Sequence, residues 1–392
     1  MLEQTGRLLW ISNVLPMDTV NKLKLSVAGK KMDLNLIFGF SQKINCDVLS
    51  VSDEGYGQVE KSELFKGVEF YQIARESGNI IIKNRKKERQ IKKFLVDWCK
   101  KHYNCNKYVL ITNYPLCVCR PLLKLKKREG VRIFSLVEDY FTLNQSLGVK
   151  NKILNIYNKY YYNKGMNLLN YFDGIIALNE NIRKFFNNEV NFYKTMIGIS
   201  ENQFFGEPRE LQQPIKLAFA GTLVSSNGID VIMDAFTDLP QDKFELHIFG
   251  FGPLEKKVKL FCDKQKNAFF YGQISSDSVI RKLSEMDILL NVLFSSNNCL
   301  MDFNFPSKIV DYICSGRVVI STEFSGFPNE YKDFVFIVPS EEKNDLVNTI
   351  LSISKMPNEQ IIDRCKCGQK FVATHQKYQT ITDNIISFIK GI

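Results

Sequence analysis

The sequence has 392 residues, more than a single ordinary hydrophobic core accommodates, so two domains are expected. Hydrophobic residues make up 45% and charged residues 24%, a globular composition that excludes a mainly disordered chain. The net charge of +10 is uneven: residues 1–200 hold 32 Lys and Arg against 18 Asp and Glu, and the remainder holds 20 against 24.

In chain order, the N-terminal half offers apolar runs of strand length: RLLWIS (Arg7–Ser12), DVLSVS (Asp47–Ser52), NIIIK (Asn79–Lys83), YVLITNY (Tyr108–Tyr114), RIFSLV (Arg132–Val137) and GIIALN (Gly174–Asn179). A Tyr- and Asn-rich helix is expected between Lys150 and Tyr171. Two basic runs, Lys83–Lys93 and Leu123–Glu129, carry most of the charge excess. They are either solvated helix faces or a patch for an anionic surface, with lipid preferred to nucleic acid because no RNP or helix-turn-helix pattern occurs. The polar stretch Glu201–Pro214 reads as a linker.

Beyond it the pattern sharpens. Strands are expected at Ile215–Ala220, Phe244–Phe249, Ala268–Tyr271, Asp287–Leu293, Arg317–Ser321 and Phe334–Val338. The helices between them are Gly228–Leu239, Gly252–Lys264, Ser275–Met286 and Pro306–Ser315. Strands that are apolar throughout and separated by helices imply parallel sheets covered on both faces, an α/β doubly wound arrangement. The expected domains are 1–200, 201–375 and a terminal helix over 376–392 that packs back on one of them. Ligands of such sheets bind outside the carboxyl ends of the strands. The site is therefore expected in a cleft between the two domains.

No apolar run approaches the ~18 residues of a spanning helix, and MLEQTGRLLWIS lacks the order of a signal peptide. The expectation is a cytoplasmic chain, with the inner face of the membrane as a peripheral location. The ten cysteines are scattered without a CxxC or a zinc-type spacing, so reduced thiols are expected and no metal site.

Chemistry concentrates at the strand ends of the second half. Gly221 ends one strand, with Thr222 beside it, and Gly250 and Gly252 end the next. Glycine there either permits close approach of backbone to a ligand or simply makes a turn. In FNFPSKIVDYICSG, Pro306 opens a helix whose free N–H groups favour an anion. Lys308 in the first turn opposes the helix dipole unless an anion lies near, and Asp311, three residues on, shares its face. A carboxylate there suits a ribose diol; the alternative is an exposed Lys308–Asp311 ion pair. In the first half, Glu138 and Asp139 follow a strand. A carboxylate at such an end can orient a hydroxyl or take its proton, or can cap the next segment. His102, His247 and His375 occupy a basic helix, a strand and the tail, and read as structural.

The set AGTL…NGIDVIMDAF, FELHIFGFGPLEKKV, FYGQISSDSVIRKLSEMDILLN and FPSKIVDYICSGRVVIST resembles family 4 of the retaining glycosyltransferases, the "group 1" transferases, over roughly Ile197–Val338. The resemblance implies a GT-B fold, two Rossmann-like doubly wound domains facing across a cleft. It implies transfer of a sugar from a nucleotide diphosphate-sugar, a UDP-sugar by default, with retention and without cofactor or obligatory metal. Asp311 takes the place of the ribose-binding carboxylate. Gly250, Gly252, Tyr271 and Ile274 would surround the base, and Gly221, Thr222, Pro306, Ser307 and Lys308 the diphosphate, with Asp302 and Asn304 toward the sugar. Glu138 stands where family members often carry His, with Asp139 beside it; these two and Lys308 are the candidate catalytic residues. The expected acceptor is a glycan or lipid-linked glycan, as in surface polysaccharide assembly.

Two departures from the family stand out. Phe303 occupies the position of the common first glutamate, and the loop Gly221–Gly228 holds no cation. They keep open a non-catalytic partner or regulatory subunit of the same fold. A third reading, a sugar-nucleotide epimerase, is disfavoured by the scarcity of His.

Overall fold

A computed structural model describes residues 6–15, 28–53, 60–65, 67–113, 115–138, 152–200, 202–274, 276–293, 302–303, 307–324 and 327–392. The chain divides into two compact units, Met1–Ser200 with Tyr378–Ile392, and Glu201–Lys377.

The N-terminal unit is an eight-stranded sheet flanked by helices. Its elements are β1 (Gly6–Ser12), α1 (Ala28–Ser41), β2 (Asn45–Ser50), β3 (Glu60–Phe65), β4 (Val68–Gln72), α2 (Ile80–Lys101), β5 (Asn106–Thr112), α3 (Leu116–Glu129), β6 (Arg132–Val137), α4 (Lys152–Leu168), β7 (Gly174–Ala177) and β8 (Asn191–Lys194). The strand order is β3-β4-β2-β1-β5-β6-β7-β8, parallel except for β3. The order reverses between β1 and β5, so the loops after those two strands diverge and leave room at their carboxyl ends. Leu8, Trp10, Ile37, Phe40, Val48 and Phe134 pack on one face of the sheet. The helix Tyr378–Gly391 closes that core with Ile381, Ile385 and Ile389. Its Thr382 side chain lies so near Gly39 that any Cβ there would collide with it.

One sequence expectation fails here. NIIIK, read as a strand, is the first turn of α2: Asn79 caps the helix by accepting from the Ile82 N–H (3.0 Å), and Ile80, Ile81 and Ile82 are exposed. A short apolar run cannot be told from a helix start by composition, and the Asn cap decided it. The β3–β4 hairpin and β8 are strands that their polar and charged residues concealed.

The C-terminal unit is a fully parallel six-stranded sheet: β9 (Ile215–Ala220), α5 (Ile229–Asp238), β10 (Phe244–Phe249), α6 (Glu255–Lys264), β11 (Ala268–Phe270), α7 (Ser276–Ser284), β12 (Ile288–Asn291), α8 (Lys308–Cys314), β13 (Val318–Thr322), β14 (Phe336–Val338), α9 (Lys343–Ile353) and α10 (Asn358–His375). The order is β11-β10-β9-β12-β13-β14, with its reversal between β9 and β12. Leu217, Phe219, Phe236, Leu246, Leu290 and Ile320 form the core. The stretch read as a linker is laid against this unit: Gly206 N–H donates to Cys314 O (2.9 Å), and Arg209 pairs with buried Asp287 (3.1 Å). Among the described residues the cysteines are free thiols, five of them buried.

Candidate functional site

The site is built where β9, β10 and α8 meet, at the reversal of the C-terminal sheet. Past its last paired residue, β9 stays hydrogen-bonded to the segment leaving β10. Gly221 N–H donates to Phe249 O (2.9 Å) and Leu223 N–H to Phe251 O (2.9 Å). The two loops approach so closely that a Cβ on Gly250 would collide with the Gly221 carbonyl, and Gly250 also adopts φ +137°, so glycine is required there on both counts. Gly252 meets Leu223 in the same way. The loop then turns back over the end of β12, where Gly228 packs on the Val292 carbonyl.

Into this loop pair comes one side chain from α8. Lys308 is the first residue of that helix, after Ser307. Its Nζ occupies the space that a Cβ on Gly221 would take, and it lies 5.2 Å from the centroid of the Phe219 ring. The residue as a whole is half-buried, but its ammonium end is desolvated. Desolvation lowers its pKa to about 8, and no carboxylate among the described residues offsets that. The Lys308–Asp311 ion pair weighed from the sequence is therefore not what holds this ammonium. The helix is fixed by Tyr312, one turn on: its buried hydroxyl accepts from Ala220 N–H (3.0 Å) and donates to Ala220 O (3.2 Å). Both bonds are at the last residue of β9, so Tyr312 sets Lys308 against Gly221. The loop that lacks a cation in sequence thus receives one from α8.

Tyr271, at the end of β11, is the third component. It is exposed and stacks on Phe249 (4.6 Å, 11°). Its hydroxyl contacts His247 Nδ1 (2.9 Å), whose Nε2 faces Glu245 (3.1 Å). A carboxylate only accepts, so Nε2 carries the proton and Nδ1 accepts from the phenol. Burial lowers the pKa of His247, which favours this neutral ring. The phenol proton is thereby committed inward, and the Tyr271 oxygen presents acceptor lone pairs outward. Gly250 N–H donates to Gly272 O (2.8 Å), which ties this aromatic group to the glycine loop.

The structure therefore brings together Gly221, Gly250, Gly252, Lys308 and Tyr271. Thr222 and Ser307 are exposed beside them, and Ile274, Asp302 and Asp311 are half-buried. Asp139, Asn304 and Pro306 lie outside the described residues.

In the N-terminal unit, Glu138 is half-buried just beyond β6, and its N–H donates to Asn113 Oδ1 (3.0 Å). Asn113, after β5, holds a left-handed φ of +59°, which Asn tolerates better than most residues. A second carboxylate sits at this sheet's reversal. Asp33 of α1 is buried, bonded by the hydroxyls of Thr112 (3.1 Å) and Ser12 at the ends of β5 and β1. Burial pushes its carboxyl up to about 7, against which the two hydroxyls work. Sequence reading gives Asp33 no role and puts Tyr312 only on the packed side of its helix, where it is indeed buried. For Asp33 a signal exists: it lies at helical spacing with Leu36, Ile37 and Phe40, a carboxylate in an otherwise apolar stripe.

Comparison with known proteins bears on the fold that carries this geometry. Residues 200–369 match the profile of the family "Glycosyl transferases group 1". An uncharacterized glycosyltransferase of Methanocaldococcus jannaschii, MJ1069, is 23% identical over 194 residues, covering 45% of this chain and 47% of that protein. The match thus spans about half the length of that curated relative. Among solved structures, the apo form of the lipopolysaccharide outer core galactosyltransferase WaaB is similar over 98% of this chain and 99% of its own (TM-score 0.66, 15% identity). Anabaena Alr3699/HepE in complex with UDP is similar over 99% and 100% (TM-score 0.67, 11% identity). With its two Rossmann-like units the chain has the GT-B-type fold, and its residues 200–369 resemble the group 1 glycosyltransferases.

Proposed function

We propose that the chain transfers a sugar from a nucleotide diphosphate-sugar, a UDP-sugar by preference, to a glycan or lipid-linked glycan, with retention and without a metal. The observation that carries this reading is Lys308: a desolvated ammonium with no offsetting carboxylate among the described residues, held against Gly221 at the reversal of a parallel sheet. Cleaving a sugar–phosphate bond places negative charge on the departing diphosphate. A fixed cation beside close-packed backbone stabilises that charge as it forms. In this reading Gly221, Thr222, Pro306, Ser307 and Lys308 take the diphosphate, and Asp311 takes the ribose diol. Gly250, Gly252, Tyr271 and Ile274 line the base, and Asp302 and Asn304 face the sugar. Tyr271, with its oxygen turned outward as an acceptor, suits an N–H edge such as that of uracil. Glu138 and Asp139 serve the acceptor hydroxyl.

The UDP-bound HepE and the lipopolysaccharide enzyme WaaB support the choice of donor and acceptor class. The test is binding and turnover with a panel of nucleotide sugars, by calorimetry and product analysis. A UDP-sugar is expected to bind and to be hydrolysed slowly or transferred, and Asp311→Ala is expected to weaken binding at least tenfold with the fold intact. Nucleotide binding with no product, until a second subunit is added, would instead favour a regulatory partner.

A further inference from the structure

The outward face of helices α2 and α4 presents an apolar cluster edged by cations. Along α2 the inward residues are Lys87, Ile91, Leu95 and Trp98, so the opposite stripe is exposed: Ile81 and Ile82, then Arg85, Arg89, Lys92 and Lys93. These follow the i, i+4 spacing of one helix face. Ile81 is 39% and Ile82 44% exposed, and the first turn contains no acid, although a helix N-terminus favours one. The two acids of α2 leave this stripe clear over residues 80–93, because Glu88 is turned aside to pair with Arg120 (3.6 Å) and Asp97 lies beyond.

α4 continues the cluster. Asn84 Nδ2 donates to the Tyr157 hydroxyl (3.1 Å), and Arg120 donates to the Tyr160 hydroxyl (3.3 Å), so α4 lies beside the first turns of α2 and α3. There it exposes Ile156 (69%) and Tyr160 (54%), with Lys159 between them. Three consecutive β-branched residues at a helix start, left in water, gain nothing from burial within their own unit, and the neighbouring α4 adds two more exposed apolar side chains.

We propose that this face docks on an anionic lipid bilayer, with Ile81, Ile82, Ile156 and Tyr160 entering the headgroup boundary and Arg85, Arg89, Lys92 and Lys93 pairing with lipid phosphates. The apolar tip selects a bilayer over a dissolved polyanion, and the cationic stripe selects an anionic bilayer over a neutral one. No described helix is long and apolar enough to cross the membrane, so contact on this face is interfacial.

The test is cosedimentation of the full chain with vesicles, without donor or acceptor, so its outcome is independent of the glycosyl-transfer reading. Vesicles of phosphatidylcholine containing about one third phosphatidylglycerol are expected to bind the protein, and pure phosphatidylcholine to bind it at least tenfold less. Arg85→Gln with Arg89→Gln is expected to weaken binding roughly tenfold or more, at about fivefold per charge. Ile81→Ser with Ile82→Ser is expected to weaken it similarly, and unlike the charge variant to leave its salt dependence unchanged. All four positions are exposed, and circular dichroism checks that each variant folds. Binding to neither vesicle, or anionic binding that survives the Ile substitutions, overturns the proposal; the second result points to a soluble polyanion. A concentration-dependent dimer that the Ile variant dissolves overturns it in favour of a second copy of the chain.

Discussion

The reversals of the two sheets are built alike and charged oppositely. In the C-terminal unit the group at the β9/β12 reversal is a cation, Lys308; in the N-terminal unit the group at the β1/β5 reversal is a carboxyl, Asp33. Desolvation drives both toward neutrality, Lys308 down to about 8 and Asp33 up to about 7. The difference lies in their partners. Asp33 is answered by two hydroxyls, whereas Lys308 meets, among the described residues, an aromatic face and the Gly221 backbone. A satisfied desolvated group reads as scaffold, and an unanswered one is a candidate for a ligand.

That contrast is most sharply tested by Lys308→Met. If Lys308 awaits a diphosphate, the variant loses donor binding by a hundredfold or more in calorimetry. It also gains stability, because a lowered lysine pKa makes the folded state disfavour the proton. The cost of Lys308 is full below pH 8 and fades between pH 8 and the ordinary lysine value, so the gain is largest near pH 7, about 1–3 kcal/mol in denaturant titration. A variant no more stable than the parent would remove the distinction between the two sites.

Asp33→Asn probes the other side. A raised carboxyl pKa means that the folded state holds a proton the unfolded chain releases. Stability then declines as pH rises from about 4 to about 7. The Asn variant is expected to lack that decline and to exceed the parent by up to about 4 kcal/mol at pH 7 and above, with donor binding unchanged. Melting curves across pH 4–8 check it; parallel profiles for the two proteins would show that Asp33 does not titrate there.

Tyr312→Phe is the mildest of the three. It leaves Ala220 N–H and C=O without their buried partner, a cost of about 1–3 kcal/mol. Because Tyr312 only positions Lys308, KM for the donor is expected to rise while the pH profile keeps its shape.

The same contrasts separate what could be read from sequence from what could not. The strands of the C-terminal unit are apolar runs, all but β12 with Gly or Pro near an end, and the helices between them have their own period, so the order of elements was legible from local pattern. The glycines at 221, 250 and 252 were legible because they end strands. Tyr312 and Asp33 were not, since their bonds join residues 92 and 79 positions apart, and local pattern carries no information about such pairs. NIIIK was misread for a different reason. An apolar run suggested burial, and the structure instead leaves it in solvent on a helix.

The helix Tyr378–Gly391 has a consequence for biosynthesis. Its isoleucines complete a core whose other members all precede residue 201, while residues 201–377 form an uninterrupted unit between them. During translation the inserted unit has all its strands outside the ribosome before the outer one receives its final helix. The second half of the chain is therefore able to mature first, and the first half waits, incomplete, for the last turn to emerge.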